Sequence, residues 1–248
     1  MTNDQISVKG IVVSSASVGE YDKRMTILTD SLGRISAFAR GAKRPNSILR
    51  SSTEPFSFGE FILYRGRSAY NVGKINVTEH FERLHEDFDS VLYGSYFLEI
   101  ADYFGRENME AVDQLTLIYY SLKALGDERF DNRLVRAVYE LRTLGINGEA
   151  PDVTACRSCG RSDRKLIRFF SERNGLLCVE CDPGKGGIVL SEGCVYTMNY
   201  IINSPLNKLF SFKVSEDVLL ELCRAVTDYY RRWVDRRFKS LSILENEI

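Results

Sequence analysis

The sequence predicts an α+β, multidomain chain. A small five-stranded β-barrel is expected in residues 1–80, then an all-helical domain in residues 81–248 interrupted by a four-cysteine module at 154–187. Three observations predict it. Short runs rich in β-branched residues fill the first 80 positions, apolar residues then recur at three- and four-residue steps, and two CxxC pairs stand 18 residues apart.

The strands come first. Val8–Ser14, Arg24–Thr29 and Arg34–Ala39 are three such runs, the second and third joined by a turn at Asp30–Gly33. Phe58–Tyr64 and Tyr70–Val77 form another pair around Arg65-Gly66-Arg67-Ser68, whose glycine suits a tight turn. One long connection, Arg40–Pro55, separates the two groups. Five strands at this spacing fit an OB-fold, the commonest nucleic-acid-binding barrel of this size, and fit an SH3-like barrel nearly as well.

Helical periodicity takes over after Glu79. Asp87–Phe104 repeats apolar residues at Phe88, Val91, Leu92, Tyr96, Ile100 and Phe104. Ala111–Leu125 and Asn132–Leu144 continue the pattern, each ended by a glycine, Gly126 or Gly145. Ser215 is placed to cap a helix whose inner face is Leu219, Leu222, Val226, Tyr229 and Trp233. Its outer side carries Arg224, Arg231 and Arg232, with Arg236 and Arg237 beyond, either a basic surface or a solvated one.

Composition narrows the class. Apolar residues make up 44%, enough for a buried core, and no apolar run nears the ~20 residues of a membrane span. The start, MTNDQISVKG, lacks the basic and greasy regions of a signal peptide, so a cytoplasmic chain with no membrane association is expected. The net charge of −1 hides segregation: residues 1–80 carry +4 and residues 81–155 carry −8. A neutral chain with a basic start and an acidic middle suggests two surfaces with different partners.

The basic start is concentrated. From Ser31 to Thr53 there are Arg34, Arg40, Lys43, Arg44 and Arg50 and no carboxylate. Such a loop is a solvated segment or a phosphate-binding surface. On the second reading these five line the nucleic-acid side of the barrel with Arg65, Arg67 and Lys74 beside them, holding phosphates without reading bases. On a later helix Arg133 and Arg136 stand amid Leu134, Val135 and Val138. That mixture suits an acidic, apolar-ended peptide or ion pairs with nearby carboxylates.

Cys156, Cys159, Cys178 and Cys181 form the most specific motif. Two CxxC knuckles supply four thiolates to one tetrahedral ion, and the intervening LIRFFSERNGLLCV reads as a hairpin turning at Asn174-Gly175. One structural Zn2+ is expected, since four thiolates leave no position for water. Cys194 and Cys223 fall within helical patterns as buried thiols. No catalytic constellation accompanies them: His80 and His85 have no partner at triad or ligand spacing, and Gly184-Lys-Gly-Gly lacks a P-loop frame. A binding protein is therefore expected over an enzyme. An RNA-binding or transcription-associated barrel-plus-zinc protein fits the same features.

The order of these features resembles the RecO family of bacterial recombination mediators. The resemblance rests on an opening strand, Gly19-Glu20-x-Asp22, Leu28-Thr29 with Gly33, and Ala39-Arg40-Gly41-Ala42-Lys43. It continues through Glu54-Pro55-Phe56, the helix ending at Leu144-Gly145, and the paired knuckles. Membership would imply an OB-fold, a helical domain with a zinc module, and a non-enzymatic role in recombinational DNA repair. It would imply binding of single- and double-stranded DNA and annealing of complementary strands. It would also imply partners: RecR, RecA loaded on coated DNA, and the acidic C-terminal tail of single-strand-binding protein. The setting would be a bacterial, nucleoid-associated cytoplasm.

Overall fold

β1 (Gln5–Val18) is longer than the run of β-branched residues that announces it, because it serves two neighbours. Its second half pairs with β2 (Asp22–Thr29) and its first half with β4 (Phe58–Arg65), both antiparallel. A bulge between Val12 and Ser14 bends it between the two partners. β2 pairs with β3 (Gly33–Ala39), and β5 (Tyr70–Glu79) closes the ring between β3 and β4. The result is a closed barrel of order β1-β2-β3-β5-β4 with a parallel β3–β5 contact. That Greek-key closure is the OB-fold, which decides between the two barrels the strand pattern allows.

This computed structural model describes residues 5–246, and its internal contacts divide into two units meeting at Leu122 and Lys123. In the first, alternation puts Val8, Val12, Met25, Ile27, Ile35, Ala37, Phe61 and Leu63 inside the barrel. Ile11 and Leu28, a cross-strand pair of the opposite parity, are fully buried as well. They lie under α1 (Phe88–Phe104), which packs on the outer side of β1 and β2. Asp87 caps α1, its carboxylate accepting from the Ser90 N–H at 2.8 Å. α2 (Val112–Leu125) follows. The long β3–β4 connection is a chain of tight turns, not a slack loop. The N–H groups of Arg44, Ser47 and Arg50 each donate to the carbonyl three residues earlier, while Ala42 and Leu49 pack into the barrel core.

The second unit holds α3 (Asn132–Ile146), α4 (Glu192–Asn203), α5 (Glu216–Trp233) and α6 (Lys239–Asn246). α3, α4 and α5 pack on one another. Gly145 lies inside α3, not at its end. The chain leaves the helix at Asn147, and Gly148 takes the left-handed conformation at φ 85°. Ser215 does sit at the start of α5, but its hydroxyl makes no capping bond. On the inner face Tyr230 is buried where Trp233 is only half-buried. Between α3 and α4 comes a three-stranded sheet of β6 (Leu166–Phe170), β7 (Gly175–Cys178) and β8 (Ile188–Val189). The hairpin turns at Asn174 and Gly175 as the sequence predicts, and β8 adds a strand the sequence does not announce.

Gly33 closes the β2–β3 turn at φ 66°, and a Cβ there would stand 2.1 Å from the Arg106 carbonyl oxygen. Gly19 shares the left-handed conformation with open space around it. Gly19→Ala should therefore cost about 1–2 kcal/mol in urea denaturation, the left-handed penalty alone. Gly33→Ala should cost well over ~2 kcal/mol, since backbone must also move. Equal midpoints for the two variants would contradict this packing.

Candidate nucleic-acid interface and metal centre

The β2–β3 turn fixes the register that pairs Arg24 with Phe38. The parallel contact pairs Phe38 with Asn71, and β4 pairs Asn71 with Tyr64. One row therefore runs across four strands, Arg24–Phe38–Asn71–Tyr64. It points away from the core because its neighbours Met25, Ala37, Tyr70 and Leu63 point inward. All four are at least partly exposed. The Arg24 guanidinium lies 5.9 Å from the Phe38 ring centroid, and its Nε donates to Ser36 Oγ at 2.9 Å. An aromatic-bearing row beside cations has the makings of a stacking platform for unpaired bases.

The basic turn stands at one end of this row. Asp22, the first residue of β2, accepts the Gly41 N–H at 2.7 Å, and the Tyr21 carbonyl accepts the Lys43 N–H at 2.9 Å. Gly41 has φ 67°, and the turn it makes is closed by Arg44 donating to the Gly41 carbonyl. The Arg44 guanidinium lies 5.5 Å from the Tyr21 ring. Arg40, Lys43, Arg44 and Arg50 are all exposed. Arg65 and Arg67 are exposed on the β4–β5 turn, at the level where Arg65, Tyr70 and Ala37 pair across three strands. Lys74 is exposed on β5 opposite Ile62.

Arg34 is placed differently. Its Nε donates to Asp102 Oδ1 of α1 at 2.6 Å, and its backbone N–H donates to the Arg106 carbonyl at 3.0 Å. Its charge is met by a carboxylate, so it fastens α1 to the barrel and is not one of the free cations. The row Arg24–Phe38–Asn71–Tyr64 is what the sequence reading missed. The Arg24–Phe38 pairing was available from the turn length, whereas Asn71 and Tyr64 join only through barrel closure.

In the second unit the four cysteine sulfurs lie within 4.8 Å of one another. Cys159 and Cys178 sulfurs are 3.9 Å apart, close to the ~3.8 Å edge of a tetrahedron with ~2.3 Å metal–sulfur bonds. Both knuckles are tight turns. Gly160 at φ 72° donates to the Cys156 carbonyl, and Cys181 donates to that of Cys178. Burial pushes the Cys156 thiol up, but the N–H groups of Cys178, Cys159 and Ser158 outweigh it and bring the thiol down to about 6. Hydrogen bonding with Cys159 and Cys178 pushes Cys181 up to about 12. Four crowded thiols cannot all ionise without a cation among them, and a metal ion supplies one. Arg168 pairs with Asp182 at 2.6 Å and donates to the Gly186 carbonyl, tying the second knuckle to β6. The Phe169 ring packs 5.6 Å from Tyr229 of α5, which seats the module on the helices.

The sequence pattern of "Recombination protein O N terminal" matches residues 1–81, and that of "Recombination protein O C terminal" matches residues 85–242. The chain belongs to the RecO family. Among its relatives is a DNA repair protein RecO of Acetivibrio thermocellus, 34% identical over 97% of this chain and 96% of that one. Another, from Alkaliphilus metalliredigens, is 29% identical over 96% of this chain and 98% of that one.

In this RecO-family chain both arginines of the candidate peptide site make ion pairs. Arg133 pairs with Asp131 at 2.7 Å and Glu216 at 3.0 Å, and Arg136 pairs with Glu140 at 2.8 Å. They join α3 to its own cap, to α5 and to a buried carboxylate, the ion pairing that the sequence offered as one of two readings. Cys194 is buried, while Cys223 is only half-buried, its thiol 3.7 Å from the Arg133 carbonyl. Burial pushes both thiols up, to about 12 and about 11, which suits packed groups and not nucleophiles. No helix among the described residues is long and apolar enough to cross a membrane.

Titrating the reduced protein with cobalt(II) should give thiolate charge-transfer absorption and tetrahedral d–d bands that saturate at one equivalent. Binding displaces thiol protons, so apparent affinity should rise with pH. A Cys178→Ser variant that gives the same spectrum would contradict a four-sulfur site.

Proposed function

We propose that this chain is a non-enzymatic mediator of DNA repair and recombination that binds single- and double-stranded DNA through its barrel and anneals complementary strands. The observation that carries the reading is the cluster of exposed cations that make no ion pair among the described residues, beside an outward aromatic row on an OB-fold. Strands 2 and 3 and the flanking loops are where OB-folds take oligonucleotides. Arg40, Lys43, Arg44 and Arg50, with Arg65, Arg67 and Lys74, supply phosphate contacts that carry no sequence information. Arg24, Phe38 and Tyr64 supply faces on which a base stacks whatever its identity. Neutralising phosphates lowers the repulsion between two strands, which favours annealing without a nucleotide cofactor. Family membership supports the further steps, in which RecR joins and RecA replaces single-strand-binding protein.

The four cysteines hold one structural Zn2+ on this reading. All-thiolate tetrahedral coordination suits zinc and leaves no open position for a reacting water. The ion is worth roughly 10–16 kcal/mol of apparent binding free energy in comparable small sites. It would hold the β6–β7 hairpin against α5.

Binding of a labelled single-stranded oligonucleotide should weaken with a log–log salt slope of about −3 if the four cations of the basic turns engage phosphates. Charge reversal of Arg40, Lys43 and Arg44 together should flatten that slope and lower annealing. Arg34→Ala should leave affinity nearly unchanged while lowering stability, because Arg34 serves Asp102. Unaltered affinity in the triple variant sinks the barrel interface, and a structured RNA that outcompetes DNA favours an RNA-binding role.

A further inference from the structure

The exposed cations of the second unit differ in what they face. In the metal module four of them face a carboxylate, Arg157 with Asp152, Arg161 with Asp163, Arg164 with Glu180 and Lys165 with Glu192, while Arg173 and Lys185 stand apart from one another without an ion pair among the described residues. The stretch Arg231–Lys239 (RRWVDRRFK) is otherwise. Arg231, Arg232, Arg236, Arg237 and Lys239 are exposed around a single carboxylate, Asp235. Among the described residues Arg231 has one partner, Glu245 at 3.6 Å, and the other four make no ion pair.

Helix electrostatics explain only part of this. Arg231 and Arg232 lie in the last turn of α5, where a cation is favoured. Arg236 and Arg237 lie outside any helix, and Lys239 opens α6, where a cation is disfavoured. The stretch is nevertheless held firmly. Val234 and Phe238 are buried, and the Arg236 guanidinium lies 5.6 Å from the Phe238 ring. Because Val234 and Phe238 face inward and Trp233 is half-buried, the stretch offers mainly charge. That favours a polyphosphate over an acidic peptide with an apolar end. One helical turn followed by five residues outside any helix or strand can span at most roughly 20 Å, enough for about five phosphates.

We infer that Arg231–Lys239 is a second phosphate-binding surface, which takes the sugar–phosphate backbone of a nucleic-acid strand. The inference rests on the DNA-binding reading of the barrel and extends it: each unit then carries its own strand site, which gives annealing two places to hold complementary strands.

Photo-crosslinking of a bromouracil-containing oligonucleotide to the full chain, followed by peptide mapping, separates the two surfaces. Crosslinks are expected both at residues 36–50 and at residues 231–239. Crosslinks to the barrel alone overturn the second surface and leave the first standing; crosslinks to 231–239 alone do the reverse; none at all overturns both. An Arg236→Ala/Arg237→Ala variant should shift the salt slope by about 1.4 toward zero, two phosphates at about 0.7 each, with an unchanged melting temperature. An Arg236→Lys/Arg237→Lys variant should restore it. An unchanged slope in the alanine variant overturns the inference. So does loss of poly-glutamate binding with oligonucleotide binding intact, which would assign the surface to an acidic protein.

Discussion

β1 pairs through Gln5–Ile11 with β4 and through Gly10–Val18 with β2, and the two registers overlap at Gly10 and Ile11. Gly10 faces Thr29 on one side and Gly59 on the other. A Cβ on Gly10 would come within 2.8 Å of the Leu28 carbonyl, and one on Gly59 within 2.1 Å of the Asn76 carbonyl. Two glycines therefore stand where the sheet closes on itself and space is least. Closure sets the stagger that brings the start of β5 beside the end of β3, and that stagger aligns Phe38 with Asn71. A slip of one residue would turn the outward row into the core and the core outward. The outward row is thus a consequence of closure, and no local motif specifies it.

Carboxylates sort the cations into two kinds of work. Arg34, Arg133, Arg136 and Arg168 each face an acid: Arg34 joins β3 to α1, Arg133 and Arg136 join α3 to α5 and α6, and Arg168 joins β6 to the second knuckle. Such pairs fix geometry and leave little field beyond themselves. Arg40, Lys43, Arg44 and Arg50 stand on turns within the acid-free span Ser31–Thr53 and make no ion pair among the described residues, so their field reaches into solvent. Sequence proximity to acid predicted the second group well. It failed at Arg34, whose partner Asp102 lies 68 residues away on a helix.

The same limit runs through the rest of the fold. The five strands and α1, α2 and α3 were legible because each carries its period locally. The hairpin of the metal module was legible from Asn174-Gly175 and from the cysteine spacing, which chemistry restricts more tightly than packing does. β8 was not, since two residues, Ile188 and Val189, have no period and are recruited by Arg168 and Phe169 of β6. Gly145 misled because a glycine inside a helix costs only about 1 kcal/mol, which packing of α3 against α5 readily offsets. The outward parity of Ile11 and Leu28 reads as surface until α1 covers them.

Near-neutrality of the whole chain follows from how such a protein would have to behave. A uniformly basic protein attracts nucleic acid to every face, and a strand held everywhere is presented nowhere. Here residues 81–155 carry −8 against +4 in residues 1–80. On the proposed reading a polyanion would be drawn to the cationic turns and repelled from the acidic helical stretch. With a Debye length of about 8 Å at physiological ionic strength, that contrast acts over the width of a strand and not over the whole molecule. Contacts of this kind are individually weak and exchange readily, which is what a protein needs if it must release the strands it brings together. On the proposed reading, stacking on Phe38 and Tyr64 would add a component that salt does not screen, so single strands with splayed bases would keep a hold that a stacked duplex cannot use.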